Sequence, residues 1–112
     1  PLDVSAMQKA AGHFVGTHDF CAFSATGGSV KTSVRTISQI TVDKREANQL
    51  ELNISGDGFL YNMVRIIAGT LIEVGFGKLK PDDIPEIIGS LDRRKAGRTA
   101  PAHGLYLVEV YY

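Results

Sequence analysis

Apolar residues recur at helical spacing in the first segment of the chain. Residues 4–15 carry them at every third or fourth position: Val4, Met7, Ala11 and Phe14. This spacing places the four side chains on one face of an amphipathic helix. Asp3 precedes the helix as an N-cap candidate, and Gly16 follows it as a stop signal. Residues 17–23 show no periodicity, so we predict a loop there, before a turn-rich stretch over 24–33.

Two later segments alternate between apolar and polar residues, as β-strands do. Residues 34–43 alternate with a slip near Thr36, which predicts a strand containing a β-bulge. Residues 49–55 alternate again and have one apolar face: Leu50, Leu52 and Ile54. A turn over 44–48 would join the two segments into a hairpin with one covered face and one polar face. A last strand is predicted over 104–112.

The longest apolar run lies in the second half of the chain. Residues 59–76 predict a helix that ends at Gly75 and Gly77. A further helix is predicted to start around Pro81, because proline suits the first helical turn and the acids that follow it suit the positive helix end. Residues 92–102 are basic and predict a loop.

The order of these elements predicts the fold class. Strands and helices cluster without strict βαβ alternation, so we expect an α+β domain with an antiparallel sheet covered on one face by helices. With 112 residues, 44% of them apolar, the chain is long enough for one domain over residues 1–112 but not for two. Polar residues interrupt the run over 59–76, so it is not a membrane span. The start at Pro1 has neither an initiator methionine nor a signal-peptide pattern, so we expect a fragment or a processed piece.

Charge is balanced over the chain but concentrated locally. Twelve basic and twelve acidic residues cancel, so no global field draws the chain to nucleic acid. The only dense cluster of cations, which we call the basic patch, holds four in six residues: Arg93, Arg94, Lys95 and Arg98. Such a patch can contact phosphates, and it can equally be a solvated surface loop. Charge alone leaves both interpretations open.

Other reactive residues give weaker signals. A single cysteine, Cys21, excludes an internal disulfide framework and fits a reducing cytosol. Nothing in the sequence sets a nucleophile–base geometry between it and His18, so we interpret Cys21 as a small buried thiol. The three histidines lack metal-site spacing, and we expect no metal site. Gly56 and Gly58 lack the third glycine of a dinucleotide loop and predict a tight turn.

Arg65 is the one basic residue inside the apolar run. On a helical wheel of about 100° per residue it falls about 20° from Ile72, at the border of the apolar stripe. Its guanidinium stays charged at any working pH, so it must reach water or an anion. Spacing alone favours an arginine that buries its stem and extends its head into water. The alternative is an arginine aimed at a carboxylate or a phosphate in a cleft.

Four segments carry more specific motifs. In chain order they are GTHDFCAF at 16–23, TSVRTI at 32–37, GDGFLYNMVR at 56–65 and AGRTAPAHGLYL at 96–107. These segments resemble the G-x-HDF-x-x-F, T-x-x-R-T-I, G-x-x-FL-x-x-MVR and AG-x-TAP-x-x-GLYL motifs of the TruA-type tRNA pseudouridine synthases. Each match is weak alone, but the four occur in order and cover nearly the whole chain.

The resemblance implies the second half of a longer enzyme. That family's catalytic aspartate lies in an R-T-D-x-G-V-H-type segment of its first half, and no such segment occurs here. Asp19 and Asp57 lie in other motifs and do not match that role. We therefore expect the C-terminal domain of an enzyme that isomerises uridine to pseudouridine in the tRNA anticodon stem-loop without a cofactor. The isolated chain is expected to be inactive. The alternative is a non-catalytic RNA-binding or dimerisation module of the same ancestry.

The resemblance also implies roles for individual residues. Arg65 would be the cation beside the catalytic aspartate, and Leu105 an apolar wall near the flipped uracil. His18 and Asp19 are candidates for the lining of the cleft. The basic patch, together with Lys78, would contact tRNA phosphates without reading sequence. The implied partners are tRNA, the N-terminal half of the enzyme and a second copy in a homodimer. We expect a cytoplasmic location and no membrane association.

Overall fold

Four strands form a single sheet in the computed structural model, which describes residues 2–24, 32–45, 50–60, 62–100 and 106–111. The strands are β1 (Gly16–Asp19), β2 (Val34–Lys44), β3 (Leu50–Gly56) and β4 (Tyr106–Tyr111). They lie side by side in chain order. β1, β2 and β3 pair antiparallel, and β4 pairs with β3 in parallel. The predicted α+β class is confirmed, with an antiparallel sheet of three strands that a parallel fourth strand extends.

In the described part of the chain, three α-helices pack on this sheet. They are α1 (Val4–Gly12), α2 (Met63–Gly75) and α3 (Ile84–Ser90), accompanied by short 3₁₀ turns at Cys21–Phe23, Pro81–Asp83 and Arg93–Lys95. Helices and strands share one apolar core, whose largest fully buried side chains include Phe14, Phe20, Phe23, Ile37, Ile54, Met63, Ile66, Ile67, Leu71 and Ile84. Among the described residues, no helix combines the length and apolar character needed to cross a membrane.

The first helix is shorter than its periodicity predicts. Asp3 is its N-cap, as predicted, because the Asp3 carboxylate accepts a hydrogen bond of 3.0 Å from the backbone N–H of Ala6. The helix ends at Gly12, so the prediction of Gly16 as its stop signal is wrong. Gly16 instead opens β1 with a φ of 113°, a conformation that glycine adopts at little cost.

The prediction of a loop over residues 17–23 is also wrong. Gly16–Asp19 forms a strand that pairs with the start of β2, so that Gly16 lies opposite Ile37 and Asp19 opposite Val34. A hydrogen bond of 2.7 Å between the hydroxyls of Thr17 and Thr36 joins the two strands as well. The segment lacks apolar alternation because its strand conformation comes from this pairing rather than from a buried face.

The two strands of the predicted hairpin are confirmed, because β2 and β3 pair antiparallel. The register of β2 against β3 shifts between Ile37 and Gln39, which places the predicted bulge next to the slip at Thr36. The predicted apolar face of β3 is buried in the core: Leu50, Leu52 and Ile54. The turn predicted over 44–48 lies mostly outside the described residues.

Helix α2, predicted over residues 59–76, starts at Met63 rather than at residue 59. Asn62 adopts a left-handed backbone conformation, with φ 59° and ψ 9°, which ends the irregular segment before the helix. Asparagine tolerates this conformation better than most residues. The helix ends at Gly75, as predicted. Arg65 therefore lies in the first turn of α2, directly after a sharp change of chain direction.

Candidate functional site

The Arg65 side chain is exposed but held in place by two neutral oxygens. Its Nε donates a hydrogen bond of 2.8 Å to the backbone carbonyl of Ala100, and Nη1 lies 3.4 Å from the side-chain oxygen of Asn62. In the reverse direction, the backbone N–H of Ala100 donates to the carbonyl of Arg65 at 2.9 Å. This reciprocal pair joins the first turn of α2 to a segment 35 residues further along the chain.

The charge of Arg65 has no carboxylate partner among the described residues. The salt bridges of that part of the chain join other groups, Arg45 with Glu51 and Arg94 with Asp92. A ring nitrogen of His13 lies 3.8 Å from the carboxylate of Asp82. The remaining N–H groups of the guanidinium likewise have no partner among these residues. The sequence suggested either a guanidinium extended into water or one aimed at an anion. Neither interpretation describes this arrangement completely, because the guanidinium is exposed but also bonded to protein oxygens. A guanidinium held by one edge can present its other N–H groups to an anion.

Residues 97–100, which we call the strap, lie against α2 without forming a helix or strand of their own. The N–H of Gly97 donates to the hydroxyl of Thr70 at 2.8 Å, and the N–H of Arg98 donates to a carboxylate oxygen of Glu73 at 3.1 Å. A β-carbon at Gly69 would overlap the carbonyl oxygen of Arg98. The missing side chain at Gly69 thus lets the strap approach the helix backbone closely.

The members of the basic patch fall into two groups. The guanidinium of Arg93 donates to the carbonyl of Gly97 at 2.9 Å and to the hydroxyl of Thr99 at 3.2 Å, so it stabilises the strap. The side chains of Arg94, Lys95 and Arg98 are exposed, as is that of Lys78. The exposed group is therefore the one available for phosphates.

Arg94 is engaged in an ion pair on the surface. Its Nε and Nη2 lie 3.1 and 3.0 Å from the two carboxylate oxygens of Asp92, and these hydrogen bonds lower the pKa of the Asp92 carboxyl. An exposed ion pair contributes little to stability, because water and salt screen the attraction between its charges. Arg94 can therefore exchange Asp92 for a phosphate at little cost.

His18 and Asp19 make local contacts at the end of β1. A ring nitrogen of His18 lies 3.1 Å from the carbonyl of Val15, and the ring meets Phe20 edge to face. The carboxylate of Asp19 accepts hydrogen bonds from the N–H of Cys21 and from the hydroxyl of Ser33. Asp19 thus fixes the chain where β1 ends, and its lining role stays a prediction.

The 3₁₀ turn that follows His18 and Asp19 packs against α2, α3 and the turn at Arg93–Lys95. The structure thereby brings the motif at residues 16–23 next to the basic patch, so the two can lie on one surface. Leu105, the predicted apolar wall, lies outside the described residues. Cys21 is exposed, so its interpretation as a buried thiol is wrong. No group of three or more potential metal ligands occurs among the described residues.

The sequence patterns assigned no role to two further polar groups, Thr70 and Asp57. The hydroxyl of Thr70 is buried under the strap. The carboxylate of Asp57 accepts from the N–H of Thr36 at 2.9 Å, and its own N–H donates to the carbonyl of Thr36 at 3.1 Å. A threonine inside an otherwise apolar helix is the signal that could have indicated the first of these groups.

The fold and the four motifs agree with one class of RNA-modifying proteins. The sequence model of the family described as tRNA pseudouridine synthase matches residues 10–112. Since this match covers most of the chain, the chain belongs to the tRNA pseudouridine synthase family.

Several curated relatives are closely similar in sequence. The chain is 62% identical over 111 residues to the tRNA pseudouridine synthase A of Acetivibrio thermocellus, and equally to that of Ruminiclostridium cellulolyticum. It is 51% identical over 111 residues to the tRNA pseudouridine synthase A of Bacillus subtilis. Each alignment covers 99% of this chain, but only 45%, 45% and 44% of the respective relative. The chain thus spans less than half the length of these relatives.

Proposed function

We propose that residues 1–112 form the C-terminal domain of an enzyme that isomerises uridine to pseudouridine in the anticodon stem-loop of tRNA. Family membership over residues 10–112 supports the reaction class. The observation that carries the proposal is Arg65, an arginine held on neutral oxygens whose charge has no carboxylate partner among the described residues. The catalytic aspartate is supplied by the N-terminal half of the same enzyme, which these 112 residues do not include.

The reaction breaks the bond between uracil N1 and ribose C1′, turns the base, and joins C5 to C1′. C5 loses its proton and N1 gains one, so the isomerisation is redox-neutral and requires no cofactor. The target base must leave its stack before the enzyme can reach it, at a cost of a few kcal/mol. A closed site around the flipped base would raise the pKa of a catalytic carboxyl, and a nearby fixed cation opposes that effect.

Arg65 provides that cation in the proposed enzyme. Two unit charges 4 Å apart attract by about 1 kcal/mol in water but by about 4 kcal/mol at an effective dielectric constant near 20. The exposed Arg65 of this chain therefore becomes effective when the other half and the substrate cover it. Its bond to Ala100 leaves other N–H groups directed at the carboxylate, so the guanidinium both favours the ionised form and orients it.

The surroundings of Arg65 supply substrate contacts in the same proposal. Leu105 forms the apolar wall beside the uracil, and His18 and Asp19 line the cleft. Arg94, Lys95 and Arg98 contact phosphates, while Arg93 acts mainly by holding the strap. Phosphate contacts position the tRNA without reading its sequence. The working enzyme is a cytoplasmic homodimer in this proposal.

The test uses the gene product that carries this chain and tRNA tritiated at C5 of uridine. We expect it to release tritium into water, because C5 loses its hydrogen when it bonds to C1′. We expect the purified 112-residue chain to release none. Release by the 112-residue chain would contradict the assignment of the aspartate to the other half. A gene product that releases none and lacks an R-T-D-x-G-V-H segment upstream would favour the non-catalytic RNA-binding or dimerisation module.

A substitution pair tests the role of Arg65. Arg65→Lys should lower kcat by roughly 100-fold, since an ammonium cannot keep the bond to Ala100 and also present a planar fork to a carboxylate. Arg45→Lys, which makes the same change at the end of β2, is the matched control and should stay within about two-fold of the wild type. Equal rates for the two variants would refute the proposed role.

A further inference from the structure

Thr70 is the only polar side chain of α2 that is fully buried, among the described residues. Its exposed fraction is 0%, and the core leaves its hydroxyl no route to water. The hydroxyl donates a hydrogen bond of 2.8 Å to the carbonyl of Ile66 in the preceding helical turn. It also accepts a hydrogen bond of 2.8 Å from the N–H of Gly97 in the strap. A buried hydroxyl with both functions in use connects two elements rather than merely filling space.

The helix and the strap meet along one face of α2. Arg65, Gly69 and Glu73 recur at intervals of four residues, which places them above one another on the helix surface. The strap follows this row: Gly97 and Arg98 bond near its C-terminal end, and Ala100 bonds to Arg65 at its N-terminal end. Thr70 therefore holds one end of a short segment whose other end holds Arg65.

The two ends are close enough along the chain to be mechanically coupled. Gly97 and Ala100 are three residues apart, and the residues between them are restrained by Glu73 and Arg93. A β-carbon on Gly97 would lie 2.6 Å from the Cα of Thr70, so no larger residue fits between strap and helix. A shift of Gly97 would be passed along only two intervening residues to Ala100, whose carbonyl is the acceptor of the Arg65 Nε–H.

We propose that Thr70 is a positioning residue for Arg65, acting through the hydrogen bond to Gly97 and the strap. The inference rests on the proposed function only for its catalytic consequence, because the coupling itself is a property of this chain. Thr70 touches neither the carboxylate nor the substrate. It sets where the Ala100 carbonyl lies, and that carbonyl sets the orientation of the guanidinium.

The chemistry of the side chain makes the proposal specific to a hydroxyl. Valine has nearly the same shape as threonine but would leave the N–H of Gly97 buried without an acceptor. The strap would then move to find another acceptor or water. Serine keeps the hydroxyl and loses one methyl group, so it should keep the strap in place. A displacement of about 1 Å in a catalytic group can cost roughly 100-fold in rate.

The experiment compares Thr70→Val, Thr70→Ser and Thr41→Val in the gene product that carries this chain. Thr41 lies on β2, and its hydroxyl takes part in none of the hydrogen bonds of the strap, so Thr41→Val controls for the loss of a hydroxyl. Two quantities are measured for each folded variant. One is the kcat and KM of tritium release from tRNA. The other is the hydrogen exchange rate of the Arg65 Nε–H, followed by NMR with ¹⁵N-labelled arginine and assigned by its loss in Arg65→Lys.

In Thr70→Val we expect kcat to fall by about 10- to 100-fold with KM within about two-fold, and the Arg65 Nε–H to exchange at least about 10-fold faster. Thr70→Ser should restore both quantities to within about three-fold, and Thr41→Val should leave both unchanged. An unchanged Nε–H exchange rate in Thr70→Val overturns the proposal. So does a serine variant as impaired as the valine variant.

The same experiments also cover an inactive wild-type protein and a Thr70→Val variant that does not fold. If the wild-type protein makes no pseudouridine, the proposed function fails, and the Nε–H exchange rate alone decides the positioning role. If Thr70→Val does not fold, Glu73→Gln replaces it, because this change weakens the second bond to the strap without leaving a buried N–H unpaired. Faster Nε–H exchange in Glu73→Gln supports coupling through the strap, and wild-type exchange overturns it.

Discussion

Arg65 and Glu51 are charged side chains that the fold holds in two different ways: Arg65 is exposed, and Glu51 is buried. Neutral oxygens of Ala100 and Asn62 hold the guanidinium of Arg65, so its position is restrained while its charge stays uncompensated among the described residues. The carboxylate of Glu51, on β3, is held by a cation, since Nε and Nη2 of Arg45 lie 3.0 and 2.5 Å from Oε2. A compensated charge stabilises the fold, whereas a restrained but uncompensated charge suits the binding of an anion.

The Glu51 pair makes part of the stability of the chain depend on pH. Hydrogen bonds from Arg45, and secondarily from Asn53, hold the pKa of the Glu51 carboxyl below its usual range. A carboxyl with a lowered pKa in the folded state contributes its full stabilisation above the pKa of the unfolded chain, which is about 4.3. That contribution is lost as the pH falls through the folded-state value.

We expect Glu51→Gln to remove this pH-dependent contribution. Between about pH 6 and pH 3, the urea midpoint of the 112-residue chain should fall more steeply in the wild type than in the variant. Glu86→Gln, at an exposed position of α3, is the matched control and should follow the wild-type profile. Identical pH profiles for all three proteins would show that the Arg45 pair does not stabilise the folded state.

At the scale of elements, α2 and the strap form one packed unit. Gly69 and Gly97 face the partner element at distances that leave no room for a side chain, and Thr70 supplies the buried hydrogen bond between them. This contact explains why an apolar helix carries glycine and threonine at adjacent central positions. Both residues are weaker helix formers than alanine, so the contact with the strap must compensate for that cost.

Substituting alanine for glycine should therefore have opposite effects in two helices. In an exposed helix interior the change stabilises by about 0.5–1 kcal/mol. Gly89→Ala, in the last turn of α3, should show the lower end of that gain, because no atom lies within 4 Å of the added carbon. Gly69→Ala should instead destabilise by about 1–3 kcal/mol, since the new methyl group overlaps the Arg98 carbonyl. Urea unfolding of both variants measures the difference, and a stabilised Gly69→Ala would refute the close contact.

At the scale of the whole molecule, β1 and β4 are the outermost of the described strands of the sheet. β4 pairs with β3 on one side, and none of the described strands lies on its other side. β1 pairs only with residues 34–37 of β2, and the amide of Gln8 caps the carbonyl of Val42 further along that edge at 2.8 Å. Unpaired strand edges present rows of N–H and C=O groups to other chains.

We expect the purified 112-residue chain to self-associate. Sedimentation over a wide concentration range should show a mass that rises with concentration, because two copies can pair their free edges. The gene product that carries this chain is the control: its additional residues are expected to cover part of the sheet, so its mass should stay at that of the proposed homodimer. A constant monomer mass up to the highest soluble concentration would contradict the expectation.

Local patterning was sufficient for several features of this protein. The helical period located α1 and α2, the alternation located β2 and β3, and the slip near Thr36 indicated the bulge. These features depend on which side chains a segment must bury, and that information is contained in neighbouring residues. The ordered motifs indicate the family, and the position of Arg65 at the edge of an apolar stripe distinguishes it from the other residues of that run.

Tertiary structure decided the features that depend on residues distant in the chain. β1 is a strand because β2 lies beside it, and Asn62 takes a left-handed conformation where the chain turns into α2. The bond between Arg65 and Ala100 spans 35 residues, and the buried hydroxyl of Thr70 bonds across 27. No local period encodes such contacts, because they require two segments to approach closely in space. The sequence marked Arg65 as a charge at the border of a helix, and only the packing of the strap restrained that charge in one position.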